Sequence, residues 1–360
     1  MDKKCYIGVM SGTSLDGVDV VLCSVGPEGI ALTASLVYPF DAALRADVLR
    51  MIGGTTTLKA VGEIDRRLGI LFADAVTALI EKEGLDATQI EAIGLHGQTL
   101  WHQPGGEMPF TMQLGDPNIV AARTGIRTVA DFRRKDMAFG GQGAPFAPAF
   151  HRFVFGKLDG RTAVVNIGGM ANVTVIGEPL LGYDTGPGNV LADAWCREKF
   201  AKAYDEDGAV ARGGAVDEAV LGAMLADPYF ARPAPKSTGR EYFNPAWTAR
   251  HVPGTLADAD VLATLTELTA RSIAHEAAAC VPTRVLLCGG GAKNLYLRER
   301  IAALLEGIEV AATDDYGGPG DWMEAMAFAW LAFKRVNHET VELKSVTGAS
   351  QNTILGGIYA

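Results

Sequence analysis

Two stretches about 160 residues apart share one pattern, and that pattern narrows the folds open to the chain. In the first, an apolar run at 6–10 meets a turn of small residues and hydroxyls, SGTSLDG at 11–17. A second apolar run follows at 18–25. In the other, apolar residues at 162–167 meet GGMAN at 168–172 and give way to apolar 173–176. Each is the outline of a hairpin. Two such hairpins imply two structurally similar halves, each turning its loop toward a shared cleft. Gly12 and Gly17 permit backbone geometry that lets amides face an anion, and Asp16 and Asp19 are placed to orient water or a hydrated cation. The same residues also suit an ordinary tight turn, because short glycine motifs are common.

At 360 residues the chain forms two domains or one large α/β domain. A net charge of −10 argues against a broad nucleic-acid surface but leaves room for a small anion held by local amides and arginines. The five cysteines are scattered and sit mostly in apolar segments, with no metal-ligand spacing, so they read as reduced structural thiols. The N-terminal apolar run is too short for a signal peptide, and no stretch reaches membrane-spanning length. These features predict a cytoplasmic protein with no membrane partner.

In chain order, Asp41 is the predicted cap of a helix through 52. Apolar residues three and four apart predict a second helix over 58–83, with Gly84 at its end. A strand is predicted at 90–95, running into His96-Gly97-Gln98-Thr99. Asp116-Pro117 predicts a helix start, so Asp116 reads as a cap. After a strand at 126–130 comes AFGGQGAPFAP at 138–148, read as a shaped loop or an interdomain joint. A strand ends at Asp184, and the turn TGPGN leads into a helix at 190–200. That is a suitable seat for a catalytic base, and equally for an aspartate that caps its own turn. Residues 203–214 and 228–253 read as irregular insertions. Gly289–Gly291 separates a strand from a helix but forms neither a dinucleotide-binding nor a P-loop motif. Glu324 opens a helix over 322–336, where a carboxylate favours the helix dipole whatever else it does.

Taken together, MSGTSLDGVD (10–19), HGQT (96–99), ADFR (130–133), GGQGAPFAPAFH (140–151), NIGGMANVT (166–174), DTGPGN (184–189), GGGAKN (289–294), WMEAMAFAW (322–330) and VTGAS…LGGIY (346–359) resemble the anhydro-N-acetylmuramic acid kinase family of the sugar-kinase/actin-like ATPase superfamily. The resemblance runs almost the length of the chain, apart from 203–253. It implies two actin-like, hexokinase-like (ribonuclease H-like) α/β domains flanking an active-site cleft: 1–131 with 347–360, and 132–346. It implies ATP and Mg²⁺, opening of an internal acetal by water coupled to phosphoryl transfer, and a homodimer. Asp184 is then the expected base, with Glu324 sharing or supporting that role. Gly12, Thr13, Ser14, Leu15, Asp16, Gly17, Val18, Asp19, Gly168 and Gly169 are expected around the phosphates, and Gly290, Gly291 and Asn294 on the adenosine side. Arg133, and less directly His96 and Gln98, are expected to contact the sugar. The Mg²⁺ ligand stays open among Asp16, Asp19 and Asp184. Two alternatives remain at this point, a kinase for an ordinary amino sugar and a catalytically silent nucleotide-binding module.

Overall fold

The apolar runs beside each small-residue turn pair with one another, as their composition requires. A computed structural model describes residues 4–12 and 15–360. Its strands are β1 (Lys4–Met10), β2 (Val18–Gly26), β3 (Gly29–Tyr38), β4 (Ile90–Leu95), β5 (Gln98–Gln103), β6 (Phe110–Leu114), β7 (Thr128–Ala130), β8 (Thr162–Ile167), β9 (Met170–Ile176), β10 (Leu181–Pro187), β11 (Arg284–Cys288), β12 (Glu309–Ala312) and β13 (Gly357–Tyr359). The chain divides into two compact units, one holding the residues up to 154 with 322–360, the other holding 155–321.

The first unit is built on a six-stranded sheet in the order β13-β7-β4-β1-β2-β3. Strands β1, β2 and β3 form an antiparallel meander, and β4 and β7 continue parallel to β1. The second unit repeats the scheme. Strands β8, β9 and β10 are antiparallel and β11 and β12 parallel, in the order β10-β9-β8-β11-β12. The paired hairpins of the sequence are thus interior strand pairs of two sheets with matching topology.

Local chemistry fixes the helices. Asp41 accepts from Leu44 N at 2.9 Å to start Ala42–Ile52, and Thr57 opens Leu58–Glu83 in the same way. Gly84 closes the latter at φ 63°, a left-handed value that favours glycine. Its apolar stripe, including Leu68, Phe72 and Leu79, packs with Ile7, Val20 and Ile93 in the first core. Helix Met323–Val336 packs against β1 and β4, and Tyr6 meets Phe333 edge-on at 5.7 Å.

That packing differs from the expected boundaries at 131/132 and 346/347, because 132–154 and 322–346 group with the first sheet. Nor is 138–148 a joint. It lies inside the first unit, where buried Asp136 accepts from Gly143 N at 2.8 Å and from Thr347 Oγ1 at 2.9 Å. Residues 203–253 contain helices Ala209–Gly213, Glu218–Leu225 and Pro245–His251. Tyr229, Phe243 and Trp247 of this region are fully buried in one core with Leu191, Val261, Leu265 and Leu268.

Candidate functional site

Asp184 stands in β10 where the ladder with β9 is broken. Asp184 pairs with Asn172, and after a register shift Gly186 pairs with Ala171. Such a bulge re-aims side chains at the end of a strand. The Asp184 main chain is fastened on both sides, its N–H donating to Lys236 O at 2.9 Å and its carbonyl accepting from Tyr229 Oη at 2.7 Å. The carboxylate Oδ2 accepts from Ser237 Oγ at 3.1 Å and from Thr238 N at 3.0 Å. Burial raises the carboxyl above the ordinary aspartate range, and the Thr238 and Ser237 donors moderate the rise. Sequence reasoning missed these supports because their loop carries no recognisable motif. Its one visible signal is the run of hydrogen-bonding residues Lys236-Ser237-Thr238.

The turn after Asp184 is tied to the β8–β9 turn. Asn189 N donates to Gly168 O at 2.8 Å, while Gly188 N and Val190 N donate to Gly169 O at 2.9 and 3.1 Å. Gly168 N donates to Met170 O at 3.2 Å, whereas the Gly169 amide donates to none of the described residues. A side chain at Gly169 would start 3.3 Å from the Arg240 guanidinium, a cation that sequence reasoning also missed. The third glycine run joins the same edge. A Cβ at Gly291 would overlap Ile167, and Asn189 Oδ1 would lie 2.8 Å from it, whereas Gly290 has open space to 4.0 Å. Asn294 caps helix Leu295–Leu304 by accepting from Leu297 N at 3.0 Å, which gives it a structural duty in addition to any ligand contact.

In the first unit, Thr13 and Ser14 lie outside the described residues. Of their neighbours, Leu15 and Val18 are completely buried in the core. Leu15 adopts φ 54° and its carbonyl accepts from Arg45 Nε at 3.0 Å. Gly12 O accepts from Leu15 N at 3.3 Å. Gly17 packs where a Cβ would meet Val37 at 2.6 Å, Asp16 is exposed, and Asp19 pairs with Met10 across the ladder. Gln98 is wholly buried and its Oε1 accepts from Ser11 Oγ at 2.6 Å, so in this structure it props the turn.

Arg133, His96 and Glu324 form one electrostatic group. Arg133 donates to His96 Nε2 from Nε at 3.2 Å and from Nη2 at 2.9 Å, and to Gly143 O from Nη1 at 2.8 Å. Its guanidinium also lies 4.9 Å from the centre of the Phe146 ring. A guanidinium has five N–H groups, so one remains on each terminal nitrogen, the pair that can fork onto a carboxylate. Burial, reinforced by the adjacent Arg133 charge, depresses His96 to about 3 and keeps it neutral, as an acceptor at Nε2 must be. Burial lowers Arg133 to about 10, with Glu324 opposing. Glu324 retains exposed surface at the first turn of its helix. The protein around it raises its carboxyl and Arg133 pulls it back.

No cluster of three or more His, Cys, Asp or Glu suited to a metal occurs among the described residues, and no helix is long and apolar enough to cross a membrane. The chain is similar to known proteins over its whole length. The family profile described as anhydro-N-acetylmuramic acid kinase matches residues 4–360. An anhydro-N-acetylmuramic acid kinase of Sulfurovum sp. (strain NBC37-1) is 57% identical over 362 residues, covering 100% of both chains. That of Sulfurimonas denitrificans is 50% identical over 366 residues, covering 99% of this chain and 100% of its own. Among solved structures, an activator of 2-hydroxyisocaproyl-CoA dehydratase from Clostridium difficile aligns at TM-score 0.47 and 13% identity, covering 92% of this chain and 96% of that one. A ROK family glucokinase from Streptomyces griseus aligns at 0.40 and 15%, covering 91% and 98%. On the strength of the full-length matches, the chain belongs to the anhydro-N-acetylmuramic acid kinase family.

Proposed function

We propose that this protein converts 1,6-anhydro-N-acetylmuramic acid, ATP and water into N-acetylmuramic acid 6-phosphate and ADP, a step in the recycling of cell-wall sugars. The family match across residues 4–360 carries the reading. The residues supply a workable route. Asp184 takes a proton from water, and the water oxygen bonds to the anomeric carbon as its bond to O6 breaks. O6 then bonds to the γ-phosphorus as the bond to the ADP oxygen breaks, so the phosphoryl group receives the electrons that a general acid serves in ordinary glycosidases. The proton leaves Asp184 for solvent, and the atoms balance.

The phosphoryl half depends on positioning and charge stabilisation. In the first unit Gly12 with the backbone of Asp16 and Gly17, and in the second the Gly169 amide, are each proposed phosphate contacts. Gly290, Gly291 and Asn294 suit the adenosine side. Arg133 offers its two remaining N–H groups to the lactyl carboxylate, His96 orients Arg133, and Glu324 supports the reacting sugar. Mg²⁺, when bound, neutralises phosphate oxygens. The absence of a protein cage among the described residues suits an ion carried by the nucleotide, with Asp16, Asp19 or Asp184 giving at most single carboxylate contacts. A homodimer in the cytoplasm completes the proposal, and size-exclusion chromatography with light scattering tests the dimer.

The deciding experiment offers the protein the anhydro sugar or N-acetylmuramic acid with ATP in ¹⁸O-water. The anhydro sugar should be phosphorylated and carry label at the anomeric position. Phosphorylation of the non-anhydro sugar alone would overturn the assignment.

A further inference from the structure

We propose that the segment 236–238 is the positioning element of Asp184, and that it dedicates Oδ2 to anchoring and Oδ1 to proton transfer. This rests on the reading of Asp184 as the base. Both donors to the carboxylate, Ser237 Oγ and Thr238 N, converge on Oδ2, and Oδ1 accepts from none of the described residues. A carboxylate held through one oxygen keeps the lone pairs of the other for an incoming water.

The segment is itself held rigidly. Lys236 Nζ lies 2.6 Å from Glu276 Oε1, with the two side chains only 2% and 11% exposed, and also donates to Phe230 O at 3.1 Å. The Lys236 carbonyl receives the Asp184 N–H. A buried ion pair adds little net stability over a well-packed apolar pair, but it fixes register because neither partner tolerates displacement. One residue therefore anchors the loop through its side chain and the base through its main chain. On the other side Tyr229 holds the Asp184 carbonyl, and the Tyr229 N–H is held at 2.9 Å by Asp227. Tyr229 and the Lys236–Glu276 pair are thus titratable groups tied to the Asp184 main chain or to the loop that holds it.

Kinetics of the full chain with the anhydro sugar and ATP test this. A hydrogen bond to a charged group is worth enough that Ser237→Ala should lower kcat about ten- to a hundredfold. The KM for ATP should stay within about twofold, and the acid limb of kcat/KM should move to higher pH, because a donor that favours the ionised form is lost. Ser237→Thr keeps the hydroxyl and should recover most of the rate. A ¹³C titration of the Asp184 carboxyl in substrate-free protein should show the same upward shift in Ser237→Ala. An unchanged kcat and titration in Ser237→Ala overturns the positioning role. Near-normal turnover of Asp184→Asn instead overturns the reading of Asp184 as the base, so the two failures are distinct.

Discussion

Gly8 and Gly94 stand opposite each other in the parallel strands β1 and β4, and both lie directly beneath the backbone of helix Met323–Val336. A Cβ on Gly8 would fall inside the Ala325 carbonyl oxygen, and one on Gly94 inside that of Phe328. The helix that carries Glu324 is thus seated on two missing side chains.

Gly94→Ala should therefore destabilise the first unit by about 3 kcal/mol, since the clash is with backbone and cannot be relieved by a rotamer. Gly62→Ala, in open space within helix Leu58–Glu83, should instead stabilise by about 0.5–1 kcal/mol. Thermal melts followed by circular dichroism would check both signs.

Breaking the Lys236–Glu276 pair should be costly. Glu276→Gln leaves a buried ammonium without its counter-charge, an expected loss of about 3–5 kcal/mol in urea unfolding. The double variant Lys236→Met with Glu276→Leu should regain most of that stability while leaving turnover impaired. A double variant as unstable as Glu276→Gln would contradict this account.

His96 should remain neutral from pH 8 to 5. Its folded value near 3 lies below its unfolded value near 6.5, so the unfolded chain binds the proton first. The stability it contributes is complete above about 6.5 and is lost as pH falls toward 3. An imidazole titration by NMR would show a midpoint near 6.5 if this were wrong.

Arg133→Lys should raise the KM for the anhydro sugar about tenfold or more and change that for ATP little. A lysine cannot present a planar fork to a carboxylate, least of all while its single nitrogen serves His96 and Gly143. Steady-state kinetics with each substrate varied in turn would separate these effects.

The rate should fall as the medium is acidified through a value above the ordinary aspartate range, because burial raises Asp184, the protein around Glu324 raises that carboxyl too, and a base works only when ionised. Glu324→Gln should leave the Asp184 limb of the kcat/KM profile in place. If the limb vanished in that variant, Glu324 would be the base.

Much of this was readable in the chain. The caps at Asp41 and Asp116 and the stripe at Leu68, Phe72 and Leu79 are local signals, and local signals were sufficient. The hairpin repeat was visible because its period is long and its composition unusual. Hidden were relationships that only folding creates. Ser237 reaches Asp184 across 53 residues, and nothing at either position announces the other. The bond between Ser11 Oγ and Gln98 Oε1 spans 87 residues and is equally silent in the sequence. The compact units divide elsewhere than the expected bounds because helix Met323–Val336 packs on the first sheet, close over Gly8 and Gly94.

The straps from 188–190 to the carbonyls of Gly168 and Gly169 place Asp184 and the Gly169 amide on one frame. Neither can be adjusted alone. Any substitution that tilts the turn shifts the proposed water-activating and phosphate-holding groups together. An engineer seeking a new acceptor sugar would do better to redesign the surroundings of Arg133 than to alter this frame, where a single change disturbs two functions.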